Sequence, residues 1–315
     1  MKLTQRFTFI LFWLFIVTSA WGAKDYGLKP LQIAPDTYVL LGVNEHFSFL
    51  NGGNIVNTGF IVTEEGVVVI DSGPSWLYGK QLRAAIGRIT ERPILKLYNT
   101  HHHPDHFLGN QAFEEFPIAA LAGTIEGIRE QGESFNDSMY RLVGAWMAST
   151  RVVLPSETVQ PGSIEIGGHR LQLIEMKGHS HADLMILDHT TGVLFAADMV
   201  FHGRTPTTPH AEPSQWLEAL EEISKLEFKL LVPGHGDVIE GTEAIEQTRD
   251  YLQWLISHLT EAAEQGMSMA EVLQPQAPTA ISGLAVFHQE YQRSVSHLYP
   301  AIEAKVLSRG RVVQE

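Results

Sequence analysis

Short apolar runs rich in β-branched residues alternate with turn residues from Thr37 onward, and stretches with helical spacing lie between them. Residues 59–62 and 67–70 flank a glycine-containing turn, which predicts a β-hairpin. Residues 76–90 place leucine and isoleucine at helical intervals, which predicts a helix. Residues 93–98 predict a strand that leads almost directly into a histidine-rich turn.

The second half of the chain repeats this order of elements. The pattern predicts strands at 163–166 and 169–176, a hairpin of 182–187 with 192–197, a helix at 213–226 and a strand at 229–232. Strand-turn-strand units that alternate with helices, in two similar halves, predict an α/β fold with two sheets between helical layers.

Helical patterning continues beyond these strands. Residues 243–264 form a long amphipathic pattern, residues 274–283 contain the prolines typical of a linker, and residues 287–305 predict a last helix. Pro300 is a candidate interruption of that helix, because proline cannot donate a backbone hydrogen bond.

The first 22 residues differ from the rest. Lys2 and Arg6 precede an apolar run at 7–17, and mostly small residues follow at 18–22. This order is typical of a secretory signal peptide. The run is shorter than the roughly 20 apolar residues of a membrane-spanning helix. We therefore expect a signal peptide at 1–22 and a periplasmic protein without a stable membrane span; an uncleaved anchor is the alternative.

Composition narrows the chemistry. The 315 residues include no cysteine and 15 histidines, and 36 acidic against 22 basic residues give a formal charge of −14. The lack of cysteine excludes disulfides, thiolate metal sites and cysteine nucleophiles. The acidic balance, without a cluster of lysines and arginines, argues against nucleic-acid binding. Any metal must be held mainly by nitrogen and oxygen.

A tight turn after residues 93–98 carries four histidines and one carboxylate. The spacing His-x-His-x-Asp-His is formed by His101, His103, Asp105 and His106. This spacing lets one pair of side chains point to one side and the next pair to another, so the turn can serve two adjacent metal ions. His102 lies outside the spacing and is not expected to be a ligand. For the turn alone, a histidine-rich surface loop is the alternative.

Three later residues favour the metal site. His179, Asp198 and His235 each follow an apolar run, at the carboxyl end of an expected strand. Strand ends that converge on one edge of the sheets would bring them to the histidine-rich turn. Taken singly, each histidine has the alternative of a hydrogen-bonded packing role, and Asp198 that of a turn residue.

These residues, with Asp71 before them, resemble the metallo-β-lactamase superfamily over residues 37–264. The resemblance implies an αββα sandwich, with a metallo-β-lactamase-like domain at 31–265 and extra C-terminal helices at 266–315. The ligand set is similar to that of glyoxalase II and implies two zinc ions. One would bind His101, His103 and His179, the other Asp105, His106 and His235, with Asp198 and a hydroxide bridging them and Asp71 bracing the ligand turn.

Three further stretches, at 51–62, 204–211 and 287–299, resemble the periplasmic quinoprotein relay system zinc metallohydrolases. This second resemblance implies an association with a quinoprotein dehydrogenase that uses pyrroloquinoline quinone. It implies no defined substrate.

The leading hypothesis is metal-assisted hydrolysis of an ester, thioester, lactone or amide in a small-molecule substrate. Two adjacent cations lower the pKa of a bridging water and polarise the substrate oxygen, and Asp105 orients the nucleophile or carries its proton. Iron and manganese are alternatives to zinc, so an iron-dependent oxidoreductase of the same fold is a second hypothesis. A third is a non-catalytic partner that carries metal or cofactor for a quinoprotein.

Four polar residues are candidates for substrate contact at the mouth of the site, namely Asn51, Asn54, Arg204 and His210. Arg204 is equally suited to anchor an anionic substrate or to form a salt bridge within its loop. His210 is more typical of loop packing than of substrate contact.

Overall fold

Seven strands form the first β-sheet, in the order in which they occur in the chain. In the computed structural model, which describes residues 24–312, they are β1 (Leu31–Ala34), β2 (Thr37–Leu40), β3 (Thr58–Val62), β4 (Val67–Ile70), β5 (Ile94–Tyr98), β6 (Ile118–Ala120) and β7 (Glu157–Thr158). Strands β1 to β4 pair antiparallel and β4 to β7 pair parallel. The predicted hairpin is confirmed as β3 and β4. The expected signal peptide at 1–22 lies outside the described residues.

Five strands form the second sheet, in the order β12-β11-β10-β9-β8. They are β8 (Gly162–Ile166), β9 (His169–Met176), β10 (Asp183–Asp188), β11 (Val193–Phe201) and β12 (Leu230–His235). Strand β11 is longer than predicted, so Asp198 lies inside the strand rather than after its end. The register between β11 and β12 shifts on both sides of Ala197, whose φ is 46°. This bulge changes the direction in which the side chains after Ala197 point, while strand β11 continues.

Helices cover the outer faces of both sheets. They are α1 (Trp76–Gly87), α2 (Pro104–Phe107), α3 (Ala122–Val143), α4 (Pro213–Ile223), α5 (Glu243–Glu264), α6 (Met269–Val272), α7 (Thr279–Ser282) and α8 (Phe287–Val312). Helix α1 packs on the first sheet, whereas α4, α5 and α8 share a core with the second. The predicted αββα sandwich with extra C-terminal helices is confirmed. Among residues 24–312, every helix is too short or too polar to cross a membrane.

Three helical predictions need correction. Helix α1 ends at Gly87 rather than at residue 90, because residues 88–90 close a tighter final turn. The stretch 274–283, expected to be a linker, contains the short helix α7. Helix α8 continues through Pro300, although a proline inside a helix removes one backbone hydrogen bond and crowds the carbonyl four residues earlier.

The two sheets pack face to face through buried side chains that include Ile61, Leu184 and Phe195. Phe195 of β11 reaches β3 at Gly59, where a Cβ atom would lie 2.4 Å from the Cε1 atom of the ring. Glycine at this position therefore lets the phenylalanine ring fill the space between the sheets.

We expect Gly59→Ala to lower the free energy of unfolding by about 1–3 kcal/mol, because the added methyl group overpacks the space filled by Phe195. Gly87→Ala is the matched control, since a Cβ there would have nothing within 4 Å and alanine favours a helix. Urea denaturation of both variants measures the difference. Equal stability of the two variants would contradict this description of the interface.

Candidate metal centre

The histidine-rich turn follows β5 and ends in the short helix α2. His103 has extended backbone, and Pro104 begins the helix at a position where its missing N–H costs nothing. The change from extended to helical backbone places Asp105 and His106 in a different group of side chains from His101 and His103. All four side chains are buried.

The second sheet contributes the other three residues. His179 lies in the turn after β9, Asp198 lies within β11, and His235 is the last residue of β12. All three side chains are buried. The structure thus brings residues from both sheets to one edge of the sandwich.

The seven side chains form two adjacent groups. The ligand atoms of His101, His103, His179 and Asp198 lie within 4.8 Å of one another, and so do those of Asp105, His106 and His235. In the first group, His179 Nε2 lies 2.8 Å from His103 Nδ1. In the second, Asp105 Oδ2 lies 3.6 Å from His235 Nε2 and 3.9 Å from His106 Nε2. Each group has enough nitrogen and oxygen atoms to coordinate a divalent cation.

The Asp198 carboxylate lies between the two groups. Its Oδ2 is 3.4 Å from His179 Nε2 and 3.9 Å from His101 Nε2 in the first group. Its Oδ1 is 3.1 Å from His106 Nε2, and its Oδ2 is 3.2 Å from His235 Nε2, in the second. One carboxylate therefore contacts imidazoles of both groups.

Burial sets the protonation state of the first group. It lowers the pKa of His101 and His103 well below the ordinary value, and that of His179 to about 3. These rings are therefore neutral, which is the form that binds metal. The Nε2 of His101 and the Oδ1 of Asp198 are buried without a hydrogen-bond partner among residues 24–312. The Nε2 of His101 lies 3.9 Å from the Oδ2 of Asp198, and such a buried, unpartnered nitrogen beside a carboxylate fits a bound cation.

Outer hydrogen bonds determine which ring nitrogen faces the cluster. The Asp71 carboxylate accepts from His106 Nδ1 and from the Thr100 backbone N–H, each at 2.8 Å. The Ile55 carbonyl accepts from His235 Nδ1 at 2.7 Å. Because ionised carboxylates and carbonyls only accept, Nδ1 carries the proton in both rings and Nε2 faces the cluster. Asp71 lies against the ligand turn, where the family resemblance places it.

The loop at the end of β12 makes room for Asp198. A Cβ atom at Gly234 would lie 1.9 Å from the Oδ1 of Asp198. Asn57, just before β3, donates from its Nδ2 to the carbonyls of Pro233 and Gly236 at 2.9 and 2.7 Å. Asn57 thereby holds the backbone of residues 233–236, against which the Asp198 carboxylate packs.

A cavity of about 260 Å³ opens onto the cluster. Part of its wall consists of ligand candidates such as Asp105 and His235, and another part consists of apolar side chains from α3, namely Phe135, Met139 and Leu142. Helix α3 has no counterpart among the sequence predictions. Its apolar residues nevertheless recur at helical spacing, which is the signal that identifies such a helix.

The four candidate substrate residues occupy two kinds of position. Arg204 and His210 line the cavity, whereas Asn51 and Asn54 lie outside its lining. The Asn51 side chain instead forms hydrogen bonds with backbone groups of residues 46–53. The Asn51 amide therefore stabilises its own turn, and substrate contact by Asn51 and Asn54 stays a prediction.

His210 also contacts a ligand candidate. Its Nδ1 lies 2.8 Å from the Nε2 of His103. His102 is buried beside both rings, with centroid distances of 4.9 Å to His103 and 5.2 Å to His210. These three rings form a further group of close nitrogen atoms, but His103 already belongs to the first group through its Nδ1.

Comparison with known proteins identifies one family. Residues 51–235 match the family model described as Metallo-beta-lactamase superfamily. The chain is 21% identical over 282 residues to a linear primary-alkylsulfatase from Pseudomonas sp., which covers 75% of this chain and 53% of the relative. The chain thus spans about half the length of that relative.

For two further relatives, the matched segment is shorter and covers a larger share of the relative. An acyl-coenzyme A thioesterase from Bos taurus is 27% identical over 230 residues, covering 65% of this chain and 81% of the relative. A hydroxyacylglutathione hydrolase from Nostoc sp. is 26% identical over 167 residues, covering 47% of this chain and 56% of the relative. All three relatives are hydrolases.

Solved structures show the same fold. A metallo-beta-lactamase from Pontibacter korlensis superposes with a TM-score of 0.60 at 19% identity, over 72% of this chain and 99% of that one. A metallo-beta-lactamase from Hirschia baltica gives a TM-score of 0.58 at 17% identity, over 71% and 97%. With the family match over residues 51–235, these likenesses lead to one conclusion: the chain belongs to the metallo-beta-lactamase superfamily.

Proposed function

We propose that the protein is a metal-dependent hydrolase that holds two zinc ions and cleaves an ester, thioester, lactone or amide bond. The observation that carries this proposal is the position of Asp198, whose carboxylate contacts imidazoles of both ligand groups. A carboxylate shared by two ligand groups suits two cations that act together on one water molecule and one substrate.

The division of ligands follows the two groups. One zinc ion would be held by His101, His103 and His179 and the other by Asp105, His106 and His235, with the Asp198 carboxylate within reach of both. Imidazole-rich ligation with carboxylates is typical of zinc. Bound zinc supplies Lewis acidity, which lowers the pKa of water toward neutrality and polarises the substrate oxygen.

Residues of the chain itself transfer the proton and form the apolar wall around the reacting groups. Asp105 lines the cavity and lies 3.6 Å from His235, a position from which its carboxylate orients the attacking water and accepts a proton. The apolar side chains of α3 on the cavity wall lower the local polarity, which strengthens the electrostatic interactions of the site. This chemistry requires no nucleophilic side chain.

The relatives support ester-type substrates. The alkylsulfatase, the acyl-coenzyme A thioesterase and the hydroxyacylglutathione hydrolase are named for hydrolysis of three different substrates. At 21% to 27% identity, such names support a class of reaction rather than one compound. Sulfate esters therefore join thioesters and lactones as candidates.

Purified from its native compartment, the protein should contain two zinc ions per chain and hydrolyse at least one compound among β-lactams, lactones, thioesters, and sulfate or phosphate esters. Asp105→Ala should lower kcat by about 10²- to 10⁴-fold, because it removes a carboxylate that both belongs to a zinc ligand group and handles the proton. Asp137→Ala, at an exposed carboxylate of α3, is the control.

Elemental analysis and steady-state kinetics make these measurements. Iron without zinc would favour an oxidoreductase and contradict the proposal. A cellular phenotype that survives Asp105→Ala while hydrolysis disappears would assign the function to a non-catalytic carrier of metal or cofactor.

Asp71→Asn should weaken zinc binding by about 10- to 100-fold, because the amide no longer provides the charged acceptor that orients His106. Asp36→Asn is the matched control, since Asp36 and Asp71 both adopt the left-handed backbone conformation, with φ of 57° and 59°. Competition with a chromogenic chelator gives both affinities. Identical zinc affinity in the two variants would show that Asp71 does not support the metal site.

We also propose export to a periplasm and association with a quinoprotein dehydrogenase. Export rests on the charge and hydropathy of residues 1–22, and the partner on the three stretches that resemble quinoprotein relay system hydrolases. A site without cysteine suits an oxidising compartment.

Expression of the full-length chain in a Gram-negative host should give mature protein in the osmotic-shock fraction, with an N-terminus near residue 23 by mass spectrometry. A chain that starts at residue 23 should stay in the cytoplasm, because it lacks the charged and apolar segment. Equal distribution of the two chains would exclude the signal peptide. Co-purification with a quinoprotein dehydrogenase from the native periplasm tests the partner, and its absence after cross-linking would count against it.

A further inference from the structure

Helix α8 lies outside the segment that matches the family, yet it contributes to the cavity. Arg293 on this helix lines the cavity, and Glu290, one turn earlier, is fully buried. The C-terminal extension is therefore part of the wall that a substrate meets.

The buried carboxylate of Glu290 holds two guanidinium groups side by side. It accepts from Arg293 Nη1 at 3.0 and 2.9 Å, and its Oε1 lies 3.4 Å from Arg204 Nη2. We call Arg204 and Arg293 the guanidinium pair. The Arg204 side chain is 2% exposed and that of Arg293 is 39% exposed, so Arg293 is the member that a ligand reaches from solvent.

The guanidinium pair carries more positive charge than its carboxylate partner neutralises. Two guanidinium groups share the single charge of Glu290, whereas the Asp105 and Asp198 carboxylates, which also attract Arg204, belong to the ligand groups. The buried Nε of Arg204 also lacks a hydrogen-bond partner among residues 24–312. A surplus cation and an unpaired buried donor on a cavity wall favour an anion. This local charge is opposite in sign to the formal charge of −14 of the chain.

Other parts of the cavity wall suit a hydrocarbon group. Phe47, Phe135, Met139 and Leu142 line it, and three of these residues belong to α3. A ligand that satisfies the whole cavity therefore combines an apolar chain with an anionic group.

We propose that the guanidinium pair recognises an anionic group of the substrate, separate from the bond that is cleaved, and that Arg293 determines this specificity. The substrate class is an ester or thioester that bears a free carboxylate and an apolar chain lying against α3. The inference rests on the proposed hydrolase function, because the cavity that contains the pair opens onto the metal cluster.

The test uses the zinc-loaded full chain and two 4-nitrophenyl esters of equal length, the octanoate and the monoester of octanedioic acid. The kcat/KM should favour the carboxylate-bearing ester by about tenfold or more, because charge-assisted hydrogen bonds are roughly twice as strong as neutral ones. Arg293→Gln should abolish most of this preference. Arg293→Lys should retain part of it, because lysine keeps the charge but not the planar pair of donors.

Arg129→Gln is the matched control, at an exposed arginine of α3 that pairs with Glu126, and it should keep the full preference. Thermal melting and zinc analysis accompany each variant, so that a loss of preference is assigned to Arg293 only when fold and metal content are unchanged. An undiminished preference in folded Arg293→Gln overturns the proposal.

A second measurement does not depend on turnover. Calorimetric titration compares octanedioate with octanoate on the unaltered protein and on Arg293→Gln. Either ligand can place one carboxylate near the zinc ions, so only the second carboxylate reports on Arg293. Octanedioate should bind more tightly to the unaltered protein, and this advantage should disappear in the variant; equal affinities for the unaltered protein overturn the proposal.

The two measurements separate this proposal from the hydrolase proposal. A protein that prefers octanedioate through Arg293 but cleaves none of the esters or other compounds would refute hydrolysis and support the anion site. A protein that cleaves esters without regard to the second carboxylate would support hydrolysis and refute the anion site.

Discussion

A buried carboxylate surrounded by imidazoles is the constraint on which the rest of the site depends. Asp198 lies within 4 Å of imidazole nitrogens from both ligand groups. Lone pairs in such a place are stable together only when positive charge lies among them. Two backbone features accommodate the Asp198 carboxylate. The bulge at Ala197 changes the direction of the side chains that follow it, and Gly234 leaves free the volume that the Oδ1 of Asp198 occupies.

Each of the two sheets contributes part of the site. The first provides the histidine-rich turn and the Asp71 carboxylate behind it, and the second provides the shared carboxylate and two further histidines. Because the sandwich brings these strand ends to one edge, residues distant in the chain become neighbours. Hydrogen bonds from Asp71 and the Ile55 carbonyl then select the ring nitrogens that face inward.

The sequence predicts most of this site because its signals are local. The segment from His101 to His106 is six residues long, so covalent geometry keeps its side chains close, and strand ends follow from apolar periodicity. The pair of Arg204 and Glu290 is different, since 86 positions separate its members and no local pattern connects them. Asn51 is a second case, because its side chain forms hydrogen bonds within its own turn, and only the folded backbone reveals these bonds.

The position of Glu290 has a consequence for the order in which the site is completed. All seven ligand candidates are encoded by residue 235, whereas the counter-ion of Arg204 comes more than 50 positions later. The candidate ligands and the C-terminal part of the cavity wall are thus encoded in successive parts of the chain. A chain that folds as it emerges, from a ribosome or from a translocation channel, can bring the ligand candidates together first, and the wall of its cavity is complete only when α8 docks.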